Sequence, residues 1–74
     1  MIVPLHHVKP GQSACVVEIK STDPARLDRL SAFGLVPGSW VRVEQVRPAL
    51  IFRMDGTEIS VDEAVAAGIV VQVE

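Results

Sequence analysis

Few residues in this chain have side chains suited to chemistry. His6, His7 and Cys15 are of the kinds that zinc and iron sites take, usually as four ligands or as three with a water. Adjacent histidines on an extended segment point to opposite sides, so one ion rarely takes both. A site built on one histidine and Cys15 would need carboxylates or a second chain to complete it. The plainer reading is a histidine pair near a terminus and a cysteine packed as a small apolar side chain. No cofactor is required by any pattern here. A weakly held divalent ion (iron, manganese or zinc) is the one cofactor the residues leave open.

The second group of candidates would bind a partner rather than a small ligand. Trp40 is the only tryptophan. It is either an interface anchor, a role in which tryptophan is enriched, or a lid over one end of the core. Arg42, Arg47 and Arg53 follow it and form either a basic patch or a mixed solvated face with Glu44 and Glu58. Arg26 and Arg29 sit on the outer side of a predicted helix and are open to the same use.

No catalytic pattern is present. There is no glycine-rich phosphate loop and no G-x-S-x-G elbow. The chain has 74 residues, enough for one domain over 1–74 but too few for a deep cleft. Nine Asp and Glu exceed seven Lys and Arg, for a net charge of −2. That balance is wrong for a protein that grips nucleic-acid phosphates. Single-strand binders also need exposed aromatic platforms, and aromatics make up 4% of the residues. A single cysteine excludes an internal disulfide and suits a reducing compartment. No apolar run is long enough to span a membrane, and residues 1–10 lack the unbroken apolar stretch of a signal peptide. A cytoplasmic, non-enzymatic protein is expected.

The elements that hold these residues are legible from period and punctuation. Pro10-Gly11 predicts a turn. Residues 14–20 alternate as a strand, with Cys15, Val17 and Ile19 on one face and Glu18 and Lys20 on the other. Asp23-Pro24 caps a predicted helix, Pro24–Phe33, with Leu27, Leu30 and Phe33 as its apolar stripe and Arg26, Asp28 and Arg29 opposite. Gly34 ends it, and Pro37-Gly38 predicts a tight turn. Trp40 to Arg47 reads as a strand with Val41 and Val43 on one face. Val46 breaks the alternation, which predicts a bulge or bend. Leu50, Phe52 and Met54 alternate in the next strand. Asp55-Gly56 is the preferred two-residue hairpin turn, and Thr57 to Val61 returns as a strand. Ser60 and Glu63 have capping-box spacing, with Asp62 a second candidate cap. Glu63 to Ala67 forms about one helical turn, stopped by Gly68, and Ile69 to Val73 is the last strand. This order predicts a mainly β domain. It is a small SH3-like β-barrel of about five strands, with an α-helix inserted after the first strand and a short helical turn before the last.

Leu30-Ser31-Ala32-Phe33-Gly34-Leu35-Val36-Pro37-Gly38-Ser39-Trp40-Val41-Arg42-Val43 resembles the FeoA signature, an apolar helix end followed by G-[LI]-x-P-G-x-x-V-x-V. Val8 to Val17 is similar to the family's opening turn and strand. Ile59 to Ala64 and Ile69-Val70-Val71 are similar to its closing pattern. Two places depart from the family: the meander loop Val46 to Leu50 is shorter, and Ser60-Val61 stands where a Leu-Arg pair is common.

The resemblance implies an SH3-like barrel. It also implies an accessory role beside FeoB, the ferrous-iron transporter of bacterial membranes, through that protein's GTP-binding cytosolic part. The same domain type occurs at the C-terminus of iron-dependent repressors. The resemblance therefore leaves a metal-binding or metal-sensing module as an alternative, and a nucleic-acid-binding barrel as a more distant one. No helix-turn-helix precedes the domain, so a complete repressor is not expected.

Overall fold

The computed structural model describes residues 1–20, 30, 32 and 34–74. Of the predicted inserted helix, Leu30 and Ala32 are helical and Leu30 is buried. The Asp23 cap, Leu27 and Phe33, and the Arg26, Asp28 and Arg29 face lie outside the described residues.

Six strands form one antiparallel sheet: β1 (Ile2–Pro4), β2 (Ser13–Ile19), β3 (Trp40–Gln45), β4 (Leu50–Met54), β5 (Thr57–Val61) and β6 (Ile69–Val73). Their order across the sheet is β1-β6-β2-β3-β4-β5. The short helix α1 (Glu63–Ala67) precedes β6, and Leu5–His7 form a 3-10 turn after β1. The sheet wraps around a single core. Leu5 and Val8 near one end share a buried cluster with Phe52 and Ile59 near the other. The predicted barrel is thus a curled sheet whose end strands, β1 and β5, are not joined by ladder hydrogen bonds. The additional strand is β1. Three residues ending in Pro4 are too short for alternation to show in the sequence, and β1 pairs with β6 alone, Ile2 to Pro4 against Gln72 to Val70.

Two bulges set which side chains face inward. In β2 the register against β6 shifts between Val16 and Glu18. Ala14 and Val16 are buried, Val17 and Glu18 both face out, and Ile19 returns to the core side. The single face predicted for Cys15, Val17 and Ile19 is therefore split, with Ile19 on the core side and the other two on the outer side. One extra residue inverts the faces on either side of it. In β3 the register against β4 shifts between Val43 and Gln45. That shift returns Val46 to the core side, as the broken alternation predicts.

The punctuation holds where it can be seen. Leu35 N–H donates to the Leu30 carbonyl at 3.0 Å, the six-to-one bond that closes a helix around Gly34. Ser39 N–H donates to the Val36 carbonyl at 3.0 Å across Pro37-Gly38. Asp55 and Gly56 have φ of 50° and 79°, the two left-handed positions of the hairpin turn. Asp62, rather than Ser60, caps α1: its carboxylate accepts from Val65 N–H at 2.8 Å. The Lys20 carbonyl comes so close to Gly68 that a β-carbon there would collide with it, so at this position glycine serves a close backbone approach rather than a left-handed turn.

Candidate partner-binding surface

The histidines are held differently from the extended arrangement expected of them. In the 3-10 turn their rings lie edge to face, 4.4 Å apart between centroids. His7 is exposed, whereas His6 is half-buried and its Nδ1 has no hydrogen-bond partner among the described residues. His6 lines a surface cavity of about 210 Å³ with Val46, Arg47, Pro48, Leu50 and Glu63. That is smaller than the roughly 300–1,000 Å³ of ordinary small-molecule pockets. Cys15 is not on this cavity's wall. It lies half-buried on β2, between Gln72 of β6 and Trp40 of β3. Among the described residues, no three of His, Cys, Asp or Glu gather as a metal site would require.

The arginines divide. Arg47 is exposed at the cavity rim. Arg42 and Arg53 are cross-strand neighbours on the outer face of β3 and β4. Arg53 has acids on both sides, Glu44 at 3.5 Å and Glu58 at 3.4 Å. All three of these side chains are about half exposed to solvent, so the ion pairs add little stability. Arg26 and Arg29 fall outside the described residues.

Trp40 is 55% exposed. Its neighbours Val41 and Val43 are buried, so alternation aims the indole away from the core. Two apolar residues that sequence reasoning passed over share this outer surface. Val17 is 41% exposed because it follows buried Val16 in alternation, and Ile2 is 61% exposed on β1. A single strand's pattern carries no signal for the first, since alternation alone does not say which face turns inward. No helix among the described residues is long and apolar enough to cross a membrane.

Taken together these features define a class: a small, curled, SH3-like β domain whose exposed chemistry lies on a sheet face rather than in a deep cleft. Residues 3–73 match the FeoA domain model, and the chain belongs to that family. No curated protein matches it by sequence. Among solved structures it is similar to an iron uptake regulatory protein (FeoA), with 28% identity, a TM-score of 0.88, and coverage of 100% of this chain and 99% of that one. It is similar to the FeoA protein from Chlorobium tepidum at 27% identity, covering 96% of this chain and 70% of that one with a TM-score of 0.88. It is also similar to the T. acidophilum IdeR at 26% identity and a TM-score of 0.91, covering 99% of this chain but only 34% of that longer one.

Proposed function

We propose that this chain is a non-catalytic, cytosolic accessory protein of bacterial ferrous-iron uptake that binds the cytosolic part of a FeoB transporter. The observation that supports this most is the end-to-end similarity to a FeoA protein, covering 99% of that chain. The geometry agrees with a binding role: a sheet face with an exposed indole suits a protein partner better than a small substrate. Titration of a purified FeoB cytosolic domain into this protein by calorimetry tests the reading. A saturable complex of defined stoichiometry supports it, and no heat with any such domain refutes it.

A second reading, a divalent-metal-binding module, draws on the similarity to IdeR. Calorimetry with Fe(II), Mn(II) and Zn(II) decides it. Binding that is lost on His6→Ala or Cys15→Ala substitution supports the reading, and no binding of any of the three ions ends it.

A further inference from the structure

We propose that the outer face of β2 and β3 around Trp40 and Arg42 docks an acidic protein segment carrying an apolar side chain. This rests on the accessory-protein reading and names the surface and the partner chemistry for it. Sheet register assembles the apolar part. Ile2, Gln72, Cys15 and Trp40 are successive cross-strand neighbours on β1, β6, β2 and β3. At the usual strand spacing this row runs roughly 14 Å. Val17, two residues on from Cys15, adds to the same face. Half the surface of the chain's only tryptophan thus lies in water at the end of an exposed row, though burying an indole is among the largest gains a small domain has available.

The charges select the occupant. Arg42 follows Trp40 on the same face, roughly 7 Å along the strand. Its cross-strand neighbour is Arg53, and like charges placed opposite each other destabilise a sheet. Arg53 is neutralised by Glu44 and Glu58, whereas Arg42 has no acidic partner among the described residues. A guanidinium with no acid beside it among the described residues, next to an exposed indole, complements a carboxylate beside an apolar side chain. Arginine and tryptophan are also the residue types that dominate binding hot spots. A nucleic acid fits less well, because gripping its phosphates takes a run of cations, and on this face only Arg42 lacks an acid beside it among the described residues.

The single tryptophan makes its own emission the readout. The full chain is titrated with a short Glu-Leu peptide, with its Gln-for-Glu counterpart, with a FeoB cytosolic domain and with a thymidine oligonucleotide. The Glu-Leu peptide and the cytosolic domain shift Trp40 emission to the blue, and the Gln counterpart binds at least about tenfold more weakly. Trp40→Ala and Arg42→Gln each weaken the cytosolic domain by about tenfold or more, measured by calorimetry. Arg47→Gln removes the same charge at the cavity rim and changes affinity by no more than about threefold. Thermal denaturation of each variant separates lost binding from lost fold. Full-affinity binding of the cytosolic domain to both variants, with unshifted Trp40 emission, overturns the surface and leaves the functional reading standing. Absence of cytosolic-domain binding overturns the functional reading instead, and the peptide pair then decides the surface. A stronger response to the oligonucleotide than to the Glu-Leu peptide overturns the assigned chemistry.

Discussion

Replacing Gly68 by alanine sets two physical effects against each other. The residue ends α1 with φ −88° and ψ −7°, a conformation open to any amino acid. On backbone entropy alone, alanine would stabilise the domain by about 0.4–1 kcal/mol through the unfolded chain. Space argues the other way. The added β-carbon would press on the backbone carbonyl of Lys20, which cannot swing aside as a side chain can. Lys20 is also tied to Gly68 in the opposite sense, its N–H donating to the Gly68 carbonyl at 2.6 Å. Overpacking of this kind costs about 1–3 kcal/mol, and loss of that hydrogen bond about 1 kcal/mol more. The net expectation is destabilisation by about 2 kcal/mol. For a domain of this size that lowers Tm by roughly 8–16 °C. Thermal and urea denaturation followed by far-UV circular dichroism measure it. Gly56→Ala is the comparison, because φ is 79° there but nothing lies within reach of a β-carbon, so its cost comes from the left-handed backbone alone. A Gly68→Ala variant as stable as the parent, or more so, would refute the close-approach account.

Three further substitutions probe other parts of the fold. Asp62→Ala removes the α1 cap and should cost about 1 kcal/mol, read as a lower urea midpoint with unchanged slope. Phe52→Ala empties a fully buried position at the centre of the core. It should cost about 3–5 kcal/mol, enough for size-exclusion chromatography and circular dichroism to report a largely unfolded chain. Arg53→Gln breaks the two exposed ion pairs with Glu44 and Glu58. It should change stability by no more than about 0.5 kcal/mol, and by less still in high salt.

Most of the meander was legible because each cue there is local. Asp55-Gly56 requires two left-handed residues in succession. Leu50, Phe52 and Met54 alternate without interruption, and Asp62 precedes a helical turn. The faces of β2 were not legible. Cys15, Val17 and Ile19 alternate perfectly on paper, yet Ala14 and Val16 are in the core and the bulge against β6 then returns Ile19 to it. That shift is set by a strand some fifty residues away in the sequence. β1 was missed for a related reason: three residues become a strand only when β6 offers an edge. At the candidate site, the exposure of Trp40 follows from its phase relative to Val41 and Val43. The pairing of Arg53 with Glu44 and Glu58 depends on which acids the neighbouring strands bring beside it. The separation of His6 from Cys15 depends on the 3-10 turn, whose sequence Leu5-His6-His7 has no helical signature.

The placement of β6 has a consequence for how the domain comes into being. The last strand in the sequence is not an edge: it lies between β1 and β2 and pairs with both. Among the described strands β1 therefore pairs with the last one alone, and Val73 N–H donates to the Met1 carbonyl at 2.9 Å. The β3–β4–β5 meander can form from neighbouring residues as soon as it is synthesised. β6 itself, and β1 which pairs with it, must wait until residues 69–73 leave the ribosome. Such long-range closure is the slow step for small β domains, which fold on the scale of milliseconds to seconds. Until it happens, the row that begins at Trp40 and Cys15 lacks Gln72 and Ile2 at its far end, so a partner that recognises the completed row would distinguish finished chains from unfinished ones.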